Sequence, residues 1–523
     1  MKQISRIKII VTVIVMVGLV SCTKDLDREP FYGINASTVY NDAANYKKVL
    51  AKVYASLAVT GNQGPSGNGD LTGFDEGSSG LLRCMWNLQE LSTDEAVCGW
   101  NDPGIPELHN MTWDAENPWS RFAYYRLFVI IPLCNEFIRE SADEKLEKRG
   151  FTDAEKAQIK GFANEARFVR ALAYFYALDL YGNVPFVTEE DLPGSGFPKQ
   201  ITRIDLFKYV EDELKEIEGL LVAPKANEYG RADKAAAWAL LSRLYLNAEV
   251  YAGTPRYADA AAFADKVITN GAFQLEGEFK NSFNADNEKS TEVIFPVTYD
   301  GKYTTTYGGT NYIIHAMVGA TMTALNYGIN SGWGGLRTTS ALVNKFDTLD
   351  TRYMFYSKGH TLEITSISNF ADGYAVTKFT NLRRDGQSPK SKEFVDTDYP
   401  VLHLTDVYLT YAEAAIRGGG DINKAVSLVN ALRERGYTNT SSNITAGDLT
   451  LDFILDERAR ELLWEGYRRT DLIRHGKFTT ATYLWPWKGG TSNGQAVESF
   501  RNLYPIPVSD LVANTNLTQN PGY

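Results

Sequence analysis

One helix restricts this chain more than any other feature of its sequence. Residues 153–181 keep helical spacing throughout, and their second half, Ala171-Leu-Ala-Tyr-Phe-Tyr-Ala-Leu178, is apolar on every side. A helix without a polar face cannot lie against water, so the pattern predicts a helix buried inside a larger body. Gly182 supplies a left-handed cap and Pro185 forbids continuation. With 523 residues, 44% of them apolar, the chain can build a sizeable core. Its length allows two to four domains or one large helical body.

Helical spacing recurs at 44–58, 203–222, 232–251 and 255–270. Ala237–Leu246 and Ala258–Phe263, split by Gly253-Thr-Pro255, look like a tetratricopeptide helix hairpin whose small residues let the helices approach closely. A second pair, Val407–Ala415 and 425–433, flanks Gly418-Gly-Gly420, and an amphipathic helix follows from Leu451 to Leu462. No clean period runs through the chain. Two hairpins 150 residues apart still predict a mainly α, tetratricopeptide-like scaffold, interrupted by inserted loops and short strands. The inserts are residues 60–118, crowded with Gly and Trp, and 276–398, rich in Gly, Thr, Tyr and Asn. Such long irregular stretches are usually functional. Within the second, Val293–Val297 reads as a strand, and residues 504–523 read as an extended, proline-bearing end.

The N-terminus carries an address. Lys2, Arg6 and Lys8 precede the apolar run Ile9–Val20, which as a helix rises only ~18 Å against a bilayer core of ~30 Å. Residues 1–21 therefore read as a secretory signal, and Leu19-Val-Ser-Cys22 fits a lipoprotein cleavage box that leaves the Cys22 thiol to be acylated. Residues 22–523 then form a single mature body behind a polar tether. The net charge of −11 becomes more negative when the basic signal is removed, which argues against nucleic acid as a partner. Of the four cysteines, Cys84, Cys98 and Cys134 remain after lipidation. Cys84 and Cys98 are the nearest pair, and all three read as packing residues.

Little here belongs to an enzyme. The five histidines show no metal-ligand spacing, and Gly490-Thr-Ser-Asn-Gly494 lacks the strand and helix that a nucleophile elbow requires. Asp75 and Asp94 would make a glycosidase couple only if the fold brought them together. The same region serves binding better. Aromatic faces stack on the C–H faces of sugars, carboxylates and amides accept from hydroxyls, and Arg donates through a planar fork. Asp75, Arg83, Trp100 and Asn101 combine these types in one insert, while Tyr307 and Trp333 stand beside glycines in the other. Asp396 and Asp398 share a strand face and, with Asp286 from a nearby loop, form a candidate calcium site, the alternative being a solvated acidic turn.

Several segments resemble the SusD-type outer-membrane lipoproteins. They are Glu165-Ala-Arg-Phe-Val-Arg-Ala-Leu-Ala-Tyr174 running into Asp179-Leu-Tyr-Gly-Asn-Val-Pro185, Glu457-Arg-Ala-Arg-Glu-Leu462 with Glu465–Leu472, and Tyr504-Pro-Ile-Pro507 with Gln519-Asn-Pro-Gly-Tyr523. Thr93-Asp-Glu95 before Trp100, Tyr307-Gly-Gly309 and Tyr483–Gly490 extend the likeness to the starch-binding members. The resemblance implies a non-catalytic surface protein that captures starch or maltooligosaccharides, α-glucans, and passes them to a SusC-like TonB-dependent outer-membrane transporter. It implies glycan contacts at Asp75, Arg83, Trp100, Tyr307 and Trp333. Asn101 and Asp102 compete for a sixth, because the loop after Trp100 is one residue shorter here. It requires no cofactor, and the candidate calcium ion would be structural only. The same role for another glycan or nutrient remains the alternative reading.

Overall fold

The structure, a computed structural model, describes residues 36–65 and 67–523. The signal segment, Cys22 and the tether lie outside the described residues. Twelve helices carry the architecture: α1 (Ala43–Ala58), α2 (Leu81–Glu90), α3 (Pro118–Glu140), α4 (Asp153–Leu180), α5 (Arg203–Glu218), α6 (Lys234–Leu246), α7 (Tyr257–Thr269), α8 (Gly309–Met317), α9 (Leu404–Ile416), α10 (Ile422–Tyr437), α11 (Leu451–Glu461) and α12 (Arg468–Arg474).

The apolar half of α4 is buried as its pattern requires, with Ala171, Leu172, Ala173, Tyr174, Ala177 and Leu178 at 1% exposure or less. Its start is set by a capping box between Thr152 and Glu155. At its end Gly182, at φ 71°, donates its N–H to the carbonyl of Ala177. Around α4 pack α1, α3 and α5, and the series then continues α5–α6, α6–α7, α7–α9 and α9–α10. The two hairpins separated by the long insert are therefore neighbours in space. Strands β2 (Val293–Val297) and β4 (Tyr399–His403) close that insert at its base, pairing antiparallel from Val293 opposite His403 to Val297 opposite Tyr399.

Three sequence readings need correction. The irregular first insert contains α2, nine of whose ten residues are buried, and the second contains the wholly buried α8. Both helices are short, and their apolar residues are interleaved with Gly, Asn and Arg, which hides the period. The C-terminal segment is not extended throughout, because Val508–Ala513 forms a helical turn. The 23-residue α3 had no sequence reading; Pro132 interrupts its hydrogen-bond ladder, yet Phe122, Leu127, Ile130, Ile131 and Phe137 bury one face.

The charged segment 458–474 lies in a buried ion-pair network. Arg474 meets Glu413 at 2.7 Å and Asp471 at 2.8 Å, Arg458 meets Asp471 at 2.7 Å, and Arg352 is held by Asp350, Glu457 and Glu461. Charges at this depth persist only when each is paired and hydrogen-bonded. Cys84, Cys98 and Cys134 are buried free thiols, so the nearest pair forms no bridge.

Candidate functional site

Asp75 caps the short helical turn Glu76–Ser79, accepting the Ser78 N–H and hydroxyl, both at 3.1 Å, and its carboxylate faces solvent. Glu76 points the other way. Its buried carboxylate accepts from the Thr60 hydroxyl at 3.0 Å, the Thr306 hydroxyl at 2.7 Å and the Tyr307 N–H at 3.2 Å. Burial pushes its pKa up and those three donors oppose the rise. One carboxylate thus ties both inserts together. Gly77 permits the contact: a Cβ there would lie 2.6 Å from the Tyr307 Cβ.

Arg83, on the first turn of α2, donates to the Gly77 carbonyl at 3.2 Å. Its guanidinium lies 4.2 Å from the Tyr312 ring, 5.3 Å from Trp119 and 5.9 Å from Trp100. Aromatic faces therefore hold the cation, and among the described residues it forms no ion pair.

Trp100 and Trp333 meet because of a strand pair invisible in sequence. β1 (Val97–Cys98) runs antiparallel to β3 (Leu336–Arg337), with Val97 opposite Arg337 and Cys98 opposite Leu336. The Gly99 N–H extends the ladder to the Gly335 carbonyl at 2.9 Å. The two indoles end with centroids 6.5 Å apart and planes at 42°. Trp333 also neighbours Tyr307, at 6.2 Å and 59°. Trp100, Trp333 and Tyr307 form a bent row of half-buried rings, each turned against the next. The Tyr307 hydroxyl donates to Glu393 at 3.0 Å, which fixes that end of the row. Asn101 and Asp102 both stand exposed directly after Trp100. The six candidate residues from two distant inserts are thus joined through one β pair, one glutamate and one arginine.

The remaining candidates do not join them. Asp94 is fully buried. Burial alone would raise its pKa, but the Arg468 guanidinium, held by both carboxylate oxygens at 2.7 Å, lowers it to about 2. Asp94 has no surface from which to meet a substrate, so the Asp75–Asp94 couple is not assembled. The acidic trio fares likewise. Among the described residues no group of three or more His, Cys, Asp or Glu is placed to hold a metal ion. Asp396 and Asp398 do share a face, but it meets the backbone amides of Gly301, at 2.9 Å, and Tyr299, at 2.7 Å. Asp286 is bound by the Arg384 amide at 2.8 Å and by Lys289 at 3.0 Å. These carboxylates do not fit a calcium site, because amides, a lysine and the Tyr229 hydroxyl already use their oxygens. The glycine–serine match at 490–494 lies in a loop with no strand before it.

Glu76 was visible in sequence only as a neighbour of Asp75. Tyr312 and His315 were missed altogether, since their place beside the rings depends on α8. Their i, i+3 spacing was the available signal.

A family model described as the SusD family matches residues 351–523. The chain is 36% identical to "Starch-binding protein SusD" of Bacteroides thetaiotaomicron, over 97% of this chain and 96% of that one. It is 24% identical to "SusD-like protein P2" of Formosa agariphila, over 98% of each. Among solved structures it is similar to surface glycan-binding protein A from Bacteroides uniformis, with TM-score 0.71, 19% identity and coverage of 92% of this chain and 99% of that one. Surface glycan-binding protein A from Bacteroides thetaiotaomicron, solved in complex with laminarihexaose, gives TM-score 0.68 and 20% identity over 91% of this chain and 99% of that one.

Proposed function

Because the chain belongs to the SusD family, we propose that it is a cell-surface glycan-binding protein, anchored through a lipid on Cys22 at the outer membrane. In this reading it captures α-glucans of the maltooligosaccharide type and delivers them to a TonB-dependent outer-membrane transporter, without catalysing any reaction on them. The observation that carries it is the bent row Trp100–Trp333–Tyr307 with Arg83 beside it.

A curved glucan presents successive sugar faces at changing angles. Rings inclined at 42° and 59° follow such a ribbon, whereas a flat chain would meet one ring and miss the next. Each stacked ring contributes ~1 kcal/mol by analogy with aromatic pairs. Asp75 and Asn101 accept from sugar hydroxyls, and Arg83 donates to them. Three rings and a few hydrogen bonds, less the cost of association, give an affinity near millimolar or somewhat tighter. Such a site is useful when the anchor holds it beside a transporter, because the effective concentration there is high.

Affinity electrophoresis in amylopectin gels tests the reading. Wild type should be retarded and Trp100→Ala should run freely with an unchanged melting temperature. Equal mobility of the two would sink the site assignment. Titrations with maltoheptaose and laminarihexaose separate this reading from the same role for another glucan, the second ligand being the one held by a similar fold. Release of reducing sugar by purified protein would overturn the non-catalytic part. Cys22→Ala should leave purified binding intact and move the protein out of the membrane fraction.

A further inference from the structure

His315 stands against Trp333, the middle ring of the row. Its imidazole stacks on the Trp333 indole with centroids 4.8 Å apart and planes at 27°. The same residue holds the loop that carries Trp333 at two further points. Its Nδ1–H donates to the Ser331 carbonyl at 2.7 Å, and its own carbonyl accepts the Trp333 N–H at 2.8 Å. Neighbouring residues of α8 and its end continue the clasp: Gly335 donates to the Ala316 carbonyl at 2.7 Å and Gly334 to that of Val318 at 2.9 Å. His315 is 1% exposed, and burial lowers its pKa, so the ring that supports Trp333 is a neutral one.

Trp333 is the only ring of the three that neighbours both others. It sits between Gly332 and Gly334, so its neighbours along the chain offer no side chain against the indole. Without support, such an indole would sample several rotamers and lose that freedom on binding. Ordering one rotamer-rich side chain costs enough to weaken an affinity about three- to tenfold.

We propose that His315 is the positioning residue of the glycan face: by covering one face of Trp333 it leaves only the opposite face for a sugar and sets both angles of the ring row. The inference rests on the glycan-binding reading above and adds to it the element that sets curvature preference. His315 makes no contact with sugar in this account, and its whole effect passes through Trp333.

A double-mutant cycle with maltoheptaose, read by calorimetry, tests it. Trp333→Ala must first weaken binding; if it does not, the ring-row site assignment fails and this proposal with it, whereas wild type that binds no maltoheptaose would overturn the α-glucan reading. Given that loss, His315→Ala should raise Kd about fivefold, ~1 kcal/mol, in the wild-type background and leave it unchanged in the Trp333→Ala background. His315→Phe, which keeps a flat ring against the indole, should recover most of the affinity. Near-ultraviolet circular dichroism should change in His315→Ala while far-ultraviolet spectra stay the same. If His315→Ala is stably folded and binds as wild type does, the proposal is wrong. It is equally wrong if the loss persists undiminished in the Trp333→Ala background, because His315 would then act through something else.

Discussion

Gly335→Ala is the sharpest test of how the ring row is built, since it adds one methyl group and removes nothing. Gly335 does not occupy a left-handed backbone conformation, so alanine is allowed there. A Cβ at this position would nevertheless lie 2.6 Å from Trp100 Cζ2 and 2.9 Å from its Nε1, and still closer to Cε2. Carbon atoms in favourable contact sit ~3.5–4.0 Å apart, so the indole must retreat by about 1 Å or more. Trp100 is half-buried at the end of the row, and swinging the ring outward relieves the clash at less cost than moving the paired strand. The displaced ring loses its place beside Trp333 and its stacking on a bound sugar. At ~0.5–1.5 kcal/mol for one aromatic contact, Kd for maltoheptaose should rise by a factor of about 2–13. Isothermal titration reads this directly. Gly277→Ala, where an added Cβ meets nothing within 4 Å, is the matched control and should bind normally. Combining Gly335→Ala with Trp100→Ala should cost no more than Trp100→Ala alone, because no ring remains to be displaced. Wild-type affinity in a normally folded Gly335→Ala protein would refute the claim that ring placement by β1 and β3 sets the site.

Four further expectations concern stability and reactivity. Asp94, lowered from 3.8 to about 2 by Arg468 against its burial, adds about 2 kcal/mol of stability that is complete above pH ~4 and lost as pH falls through ~2. Glu95 works in the opposite sense: burial first, then the Asp94 charge beside it, raises it to about 8 against the pull of Arg468, so stability should decline from pH ~4.5 to ~8. Chemical denaturation across that range should show the decline flattened in Glu95→Gln, and an unchanged slope would count against it. Gly161 lies inside α4 with open space where a Cβ would go, so Gly161→Ala should raise the unfolding free energy by ~0.5–1 kcal/mol, measured in guanidinium. Burial pushes the thiols of Cys84, Cys98 and Cys134 up to about 12, 11 and 12, so a thiol reagent should label none of them at pH 8 until the protein unfolds. Rapid labelling of the native protein would contradict that burial.

The legible parts of this chain are those written in local patterns. The period of residues 153–181, the Gly182 cap and the apolar run at Val293–Val297 each depend on a few neighbouring residues, and each stands where it was expected. Residue types in the inserts pointed to Asp75, Arg83, Trp100 and Asn101 in one and to Tyr307 and Trp333 in the other, and the family resemblance joined them. What failed were readings that needed a partner. Asp94 looked like a companion of Asp75 and is instead the counter-ion of Arg468, 374 residues away. Asp396 and Asp398 both face the loop at 299–301, and its backbone amides, which no local pattern could show, take up their carboxylates. Helices α2 and α8 were hidden because their burial comes from surrounding elements and leaves no clean periodic stripe.

The amino-acid sequence by itself determined that a buried helix would organise this protein, where that helix would end, and that isolated rings and polar groups would crowd the two inserts. Local conformational preference and hydrophobic period are enough for that, because each acts within a turn or two of the chain. The tertiary structure alone decided that Trp100 and Trp333 would stand 6.5 Å apart at 42°, with His315 behind one of them. That arrangement follows from the register of β1 on β3, which joins residues 97 and 337. Pairing across such a distance is selected by the packing of the whole body, and no window of neighbouring residues contains it.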